Sequence, residues 1–509
     1  MLTRIPTSDW FVLAWVVAGL GGLMVAAELI RKFFHWPPQL TRKLVHVLTG
    51  FFVFAVIAKM QSPLPVLAIN AGFVLFIALA LRLDWFPAMH RTGPSLGTVF
   101  YPLSFFLLAL WGWHHHRLEV LIGMMLLAFS DALAALVGGL FSQAPRWRPW
   151  REEKTLPGMA AMFFSSWFIA LVFLLWPPVG ADHPALPLPA ALAAGFCLAV
   201  FATLGEALSV RGSDNLSVPL LSAFLAFYLL HDPGGHLQQV LWAVLLGGAV
   251  AALSVRAGFL QPGGAMAALL LAIPLFGIGG LAWAVPILSF FVLSSLLSRF
   301  NARRKESLVR EFEKGHRRDA GQVLANGAMA ALLVMASAFL SEGPLYLIYL
   351  AVVAAATADT WATEIGLHAR KPPRLITRFQ PVGPGRSGGV SLTGLAGAAL
   401  GALAIGLSGL PFLPGDGRLT GLKVSPAALL AAVTTSGLLA SLVDSLLGAT
   451  LQSQYRCPAC GKITEKHEHC AGQAGQLVQG KRWINNDVVN FLATVSALFF
   501  ALGFLSLFR

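Results

Sequence analysis

Charge is scarce in this chain. Asp, Glu, Lys and Arg make up 12% of its 509 residues, while 57% are hydrophobic and the mean hydropathy is +0.72. Globular domains are roughly a quarter charged, so a soluble globular class is excluded and a polytopic membrane protein is implied. The basic residues give a net charge of +13 but are not gathered on one soluble domain, which excludes nucleic acid as the partner. The first nine residues carry no charged n-region followed by an Ala-x-Ala site, so neither a cleaved signal nor a transit peptide is expected. No Gly-x-x-x-x-Gly-Lys-Ser/Thr loop occurs, so a nucleotide site of the Walker type is absent.

What the chain has in abundance is apolar runs, which recur from residue 10 to residue 508. About 20 apolar residues cross a hydrocarbon core as a helix, and the runs amount to about sixteen segments, several short enough to be tilted or re-entrant. The expected fold class is an all-α integral membrane protein of two multi-helix modules, with about 16 transmembrane helices in total. If the runs alternate across the bilayer, 30 of the 36 Lys and Arg fall in one set of loops. The positive-inside rule then places those loops in the cytoplasm and both termini outside, as in a prokaryotic inner membrane. The most polar stretch, residues 299–322, reads as an amphipathic cytoplasmic helix.

Glycine-rich punctuation at residues 258–264 divides the chain into modules 1–257 and 258–509. Each module carries an acid followed seven residues later by a glycine, and then a polar loop. Asp131 and Gly138 precede the loop 152–158, and Asp359 and Gly366 precede the loop 384–389. A carboxylate at the centre of a membrane helix costs about 2.5–3.5 kcal/mol, so each one marks a functional position by default.

Phosphoryl transfer from a nucleotide needs Mg²⁺ held by carboxylates or amides, cations on the transferring phosphate, and glycines that let backbone amides approach. In the first module Asp131, Glu206, Asp214 and Asn215 supply the first requirement. Arg42, Lys43 and Lys154 supply the second, and Gly158, beside Thr155, the third. Blander readings stand beside these: Asp214 as a helix cap, Lys154 as one more positive-inside lysine, His46 as a packed polar residue. Taken in order, Arg42-Lys43-x-x-His46, Ser130-Asp131-x-x-Ala134, Lys154-Thr155-x-x-Gly158 and Glu206 followed by Asp214-Asn215 resemble the motifs of the dolichol kinase and phytol kinase family. The resemblance covers roughly residues 28–230. It implies a kinase that phosphorylates the hydroxyl of a long isoprenoid alcohol from CTP or UTP. On that resemblance the four acid and amide residues hold magnesium and the triphosphate, while Lys154 and Arg42 or Lys43 touch phosphates.

In the second module the acids are Asp359, Glu364, Asp444 and Asp487, with Asn486 and Asn490 at the start of the last helix. Asp359 and Glu364 are five apart, about 140° around a helix, and at best flank a site. The loop Pro384-Gly385-Arg386-Ser387-Gly388-Gly389 enters a helix, where free amides can cradle a phosphate, although a tight turn would use the same glycines. The module resembles the membrane family that includes the plastid phytyl-phosphate kinase. The pieces that carry this are Gln322-Val323-Leu324-Ala325-Asn326-Gly327, Asp359-Thr360-Trp361-Ala362-Thr363-Glu364-Ile365-Gly366, the glycine loop, Asp444-Ser445-x-Leu447-Gly448 and the asparagine-rich entry to the last helix. It implies phosphorylation of an isoprenyl monophosphate to the diphosphate, with CTP as donor.

Three of the four cysteines cluster in a cytoplasmic loop at 452–484. Cys457-x-x-Cys460 followed by His467-x-x-Cys470 is a spacing suited to a tetrahedral structural zinc, with His469 as the alternative to His467. A disulfide or free thiols are the other readings, the disulfide disfavoured by a cytoplasmic setting. The loop sits between Asp444 and Asp487, where the first module has only a short turn, so the modules read as diverged copies of one site plan with an insertion in the second. The combined expectation is a bifunctional membrane kinase whose partners are the lipid alcohol, its monophosphate, a nucleotide and membrane lipid. Other CTP-dependent lipid chemistry, such as cytidylyl transfer, and a lipid transporter or flippase remain the rivals.

Overall fold

The computed structural model describes residues 5–83, 96–141, 143–178, 183–232, 234–301, 317–340, 344–413, 425–470 and 472–506. The expected amphipathic helix at 299–322 falls for the most part outside them. Among the described residues the protein is almost entirely helical, an all-α integral membrane protein. Among the described residues eleven helices are long and apolar enough to span a bilayer and three further apolar helices are shorter, which does not confirm the expected sixteen spans. The chain divides into two compact units, Met1–Val244 and Leu245–Arg509.

Unit 1 holds α1 (Thr7–Phe34), α2 (Pro38–Lys59), α3 (Leu64–Arg82), α4 (Gly97–Gly112), α5 (Arg117–Leu140), a strand pair β1 (Arg146–Trp147) and β2 (Lys154–Thr155), α6 (Leu156–Leu175), α7 (Leu188–Ala207) and α8 (Asp214–His231). The division falls inside α9 (Gly235–Arg256). Helix α5 is apolar on every side, the pattern of a helix enclosed by others, and 72% of its most apolar stretch is buried. A π-helical turn at Leu126–Asp131 interrupts it and carries Ser130 and Asp131; such turns recur at functional sites because they re-aim side chains. The fully buried Asp9 of α1 is satisfied by the backbone amides of Gln61 and Ser62, at 3.1 and 2.7 Å. A buried carboxylate held by amides in this way ties α1 to the α2–α3 turn.

Unit 2 holds α10 (Pro262–Gly277), α11 (Gly280–Phe300), α12 (Ala320–Ser337), α13 (Leu345–Gly366), the strand pair β3 (Arg374–Leu375) and β4 (Gly389–Val390), α14 (Leu392–Gly409), α15 (Pro426–Thr450), five short strands β5–β9 between residues 454 and 479, and α16 (Asn486–Ser506). Helix α12 starts inside the stretch expected as one helix over 299–322, because Asp319 and Gln322 form a reciprocal capping box that begins a new helix at Ala320. Helix α13 is the central one, again with 72% of its apolar stretch buried. Two tyrosines that would otherwise bury unpaired hydroxyls donate to backbone carbonyls, Tyr346 to Ala282 at 3.0 Å and Tyr349 to Trp283.

The two units repeat one local order. In each, the most enclosed helix carries the aspartate singled out above, and a two-residue antiparallel strand pair follows it. The registers are Arg146↔Thr155 with Trp147↔Lys154, and Arg374↔Val390 with Leu375↔Gly389. Next come a hydroxyl-capped helix, a long helix, and a last helix that opens on acid or amide side chains.

Candidate active site

In unit 1 the acids meet. Asp131, Glu206 and Asp214 each place one carboxylate oxygen within 4.8 Å of the others. They come from three elements: the π turn of α5, the last turn of α7 and the first turn of α8. Lys43 of α2 donates to Asp131 Oδ2 at 2.6 Å. His46, one turn further along α2, has Nε2 3.1 Å from the Leu127 carbonyl and 3.8 Å from Asp131 Oδ2. A carbonyl can only accept, so His46 Nε2 carries a proton.

Lys154, at the end of the β1–β2 pair, donates to Glu206 Oε1 at 2.5 Å and to Ser209 Oγ at 3.4 Å. Burial alone would lower the Lys154 pKa, but the Glu206 carboxylate outweighs it, with help from Asp214 and Glu152, and holds it above the ordinary lysine value. The ammonium therefore stays charged at neutral pH. Three carboxylates against two lysines leave the cluster short of positive charge, and an all-oxygen donor set suits a hard divalent ion such as Mg²⁺.

Backbone contact fixes this geometry. Thr155 caps α6 by accepting from the Gly158 amide at 3.3 Å. A Cβ on Gly158 would stand 2.9 Å from the Ala134 carbonyl, and one on Gly138 would stand 2.9 Å from Thr155 Oγ1. Glycine at both positions is what lets α6 lie against α5 directly beside the acids. Not every expected residue joins the cluster. The Asn215 amide is spent on the Gly97 carbonyl at 2.8 Å, and the Arg42 side chain lies outside the described residues.

Unit 2 repeats the plan with different chemistry. Asp359 of α13 and Asp444 of α15 bring their carboxyl groups within hydrogen-bonding range of each other. With the Asn490 amide turned so that both of its ends are satisfied, it donates to Asp444 Oδ2 at 3.0 Å. Asp487 is buried in the same first turn of α16. Ser391 caps α14 by accepting from the Gly394 amide at 3.0 Å, and a Cβ on Gly394 would stand 3.1 Å from the Ala362 carbonyl. Ala134 and Ala362 each lie three residues after their aspartate. The local geometry thus pairs Lys154-Thr155-x-x-Gly158 with Val390-Ser391-x-x-Gly394, not with the glycine loop as the sequence suggested. Where unit 1 has Lys154, unit 2 has Val390. Among the described residues, neither Asp359 nor Asp444 has a basic ion-pair partner.

The glycine loop lies ahead of the cap and does not enter α14 directly, because Gly389–Val390 is a strand and Ser391 already satisfies the helix's first turn. Gly385 and Gly388 adopt left-handed backbone at φ 85° and 81°, and a Cβ on Gly388 would collide with Ala449 of α15. Arg386 is exposed. Glu364 is committed elsewhere. Its carboxylate accepts from Ser298 Oγ and from Asn301 Nδ2 at 3.2 Å, and Asn301 in turn contacts His368 Nε2 at 2.9 Å. It clamps the end of α13 to the end of α11.

The cysteine-rich insertion supplies a residue that sequence reading missed. Glu465 accepts from Ser387 Oγ of the glycine loop, and lies close enough to Asp359 and Asp444 for its charge to act on both. Burial raises its pKa, and the Ser387 hydroxyl partly offsets the rise. No motif marks it, since it stands 78 residues from its partner. The insertion also gathers Cys457, Cys460, His469 and Cys470, with ligand atoms all within 4.8 Å of one another. His467 packs instead against Tyr455, ring centroids 5.2 Å apart. Adjacent His469 and Cys470 reach one point because Cys470 adopts left-handed backbone at φ 41°. The Cys460 backbone amide pulls the Cys457 thiol down to about 6, so a thiolate is available at neutral pH. The donor set fits a structural zinc.

Comparison with known proteins places this geometry in a family. Residues 245–498 match the model of the integral membrane protein family DUF92. Protein PGR of Arabidopsis thaliana is 30% identical over 281 residues, 51% of this chain and 94% of that protein. A phytol kinase of Synechocystis sp. is 32% identical over 231 residues, 43% of this chain and 91% of the relative. A probable chloroplastic phytol kinase of Glycine max is 28% identical over 208 residues, covering 38% and 67%. No solved structure matches. The chain belongs to the DUF92 family of integral membrane proteins and is homologous to phytol kinases.

Proposed function

We propose that the chain is a membrane kinase of isoprenoids that joins two consecutive steps. Unit 1 phosphorylates an isoprenoid alcohol such as phytol, geranylgeraniol or farnesol, and unit 2 phosphorylates the resulting monophosphate to the diphosphate, with CTP or UTP as donor. Relatives named phytol kinase support the kinase class and the lipid substrate. The observation that carries the two-site reading is the Asp131–Glu206–Asp214 cluster braced by Lys43 and Lys154, together with its local recurrence around Asp359 and Asp444.

In unit 1 Asp131, Glu206 and Asp214 would hold Mg²⁺, which when bound neutralises charge on the nucleotide phosphates. Lys154 and Lys43 already stand beside those acids as fixed positive charges and turn toward the transferring phosphoryl group. The enclosed position of α5 keeps water from competing with the alcohol as acceptor. In unit 2 Asp359, Asp444, Asp487 and Asn490 take the corresponding places. The left-handed turns at Gly385 and Gly388 aim the loop's amides, and Glu465 fixes the loop through Ser387. Zinc in the Cys457–Cys460–His469–Cys470 cluster would order the insertion and so hold Glu465 in position.

Segregation of Lys and Arg supports cytoplasmic sites and outward termini in a prokaryotic inner membrane. Having both steps on one chain keeps the monophosphate in the leaflet where the second site works and raises its effective concentration there. The test is to supply purified protein with each labelled alcohol, each nucleoside triphosphate and Mg²⁺. Lipid monophosphate, lipid diphosphate and CDP are the expected products. Release of pyrophosphate with a cytidylylated lipid would assign the protein to nucleotidyl transfer instead.

A further inference from the structure

A second group of ligating side chains lies at the other end of α5. His116, in the turn before the helix, Glu119 in its first turn, and His183, between α6 and α7, each offer one ligand atom within 4.8 Å of the others. Glu119 is fully buried, while the imidazoles are 25% and 23% exposed. Twelve residues separate Glu119 from Asp131, about 18 Å of helix, so this group is distinct from the acid cluster.

His183 Nε2 is hydrogen-bonded to Glu119 Oε1, and the spacing of the group also matches that of ligands around one ion. His116 Nδ1 and His183 Nε2 stand 3.4 and 3.2 Å from Glu119 Oε1. A charge-assisted hydrogen bond would draw such a pair to about 2.7–2.9 Å. Ligands at 2.0–2.1 Å from a tetrahedral ion lie about 3.3 Å from one another. His116 Nδ1 is sealed from solvent and makes no hydrogen bond. Its ring is pinned, stacked on Trp111 at 4.9 Å and 16° and edge-on to Phe227 at 4.9 Å, as supporting contacts orient metal-ligating histidines.

We propose that His116, Glu119 and His183 bind a divalent transition-metal ion, zinc in the first instance, and that the ion clamps the segment before α7 onto the start of α5. Two imidazoles and one carboxylate suit zinc and its neighbours in the first row more than Mg²⁺ or Ca²⁺. Three protein ligands leave the fourth position to water, so the ion is exchangeable.

The full chain, stripped with a chelator in detergent, is titrated with Zn²⁺ and with Co²⁺, and metal content and melting temperature are read. His183→Ala and Glu119→Gln should each lower the zinc content by one equivalent per chain relative to wild type, whatever the thiolate cluster binds. In a chain also carrying Cys457→Ser, Cys460→Ser and Cys470→Ser, one Co²⁺ should remain with no thiolate charge-transfer band, and zinc should still raise the melting temperature. Adding His183→Ala should cut the apparent zinc affinity at least tenfold and abolish that rise, with the chelator-treated melting temperature unchanged. Unchanged zinc content in His183→Ala and Glu119→Gln, or loss of the equivalent only on replacing the exposed His114 and His115, would overturn the proposal.

Discussion

At the residue scale the account rests on charges that are buried and paired. Lys154 and Glu206 are 13% and 9% exposed, so removing one partner strands the other, at a cost of about 3–5 kcal/mol. Lys154→Met should therefore destabilise unit 1 and abolish alcohol phosphorylation. Lys154→Met with Glu206→Leu should recover most of the lost melting temperature yet remain inactive, since it restores packing and not charge. A double variant that still made monophosphate would remove both residues from the chemistry. Glu465 behaves in the opposite sense. Its folded pKa is raised above the ordinary 4.5, so the folded state holds the proton more tightly than the unfolded one. Stability then declines as pH rises from about 4.5 through the raised value, and the penalty persists at neutral pH. Glu465→Gln should flatten that decline and melt higher than wild type near neutrality, while diphosphate formation falls about 10–100-fold, the usual effect of losing a supporting contact. A variant with an unaltered second step would make Glu465 structural only.

At the element scale the two units are built around a helix crossing without side chains. Gly158 against the Ala134 carbonyl and Gly394 against the Ala362 carbonyl bring the capped helix onto the central one. Alanine at either glycine should cost about 1–3 kcal/mol by overpacking. Each substitution should impair only its own step, Gly158→Ala the alcohol kinase and Gly394→Ala the monophosphate kinase, as read by separate assays on the two lipid substrates. This scale also marks what was legible in the sequence. The capping box at Asp319 was read through as part of one helix over 299–322, whereas helical apolar runs, the Lys154-Thr155-x-x-Gly158 motif and the isolated acids were all visible, because each is a local pattern with a local cause. The equivalence of Val390-Ser391-x-x-Gly394 was not, since the more conspicuous glycine loop stood nearby and only backbone contact distinguishes them. Glu364 looked like a site acid until Ser298 and Asn301, more than 60 residues away, were seen to claim it. His469 rather than His467 joins the cysteines because of one left-handed residue, which spacing does not encode. The count of sixteen spans is not confirmed among the described residues, where helices such as Gly97–Gly112 read as membrane runs but are shorter than the eleven long enough to cross.

At the scale of the whole molecule the proposal is that one chain carries two chemically separable centres. The cysteine-rich insertion lies in unit 2, so on this proposal Cys457→Ser with Cys460→Ser should abolish zinc binding there, stop diphosphate formation and leave monophosphate synthesis near its wild-type rate. Loss of both steps together would mean that the insertion serves the chain as a whole. The most direct test of the central claim follows one labelled isoprenoid alcohol through purified Asp131→Ala and Asp359→Ala proteins with CTP and Mg²⁺, resolving alcohol, monophosphate and diphosphate by chromatography. The account predicts that Asp131→Ala makes nothing from the alcohol yet converts supplied monophosphate to diphosphate, and that Asp359→Ala accumulates monophosphate. Diphosphate formed from the alcohol by both variants, or monophosphate accumulating in neither, would contradict it.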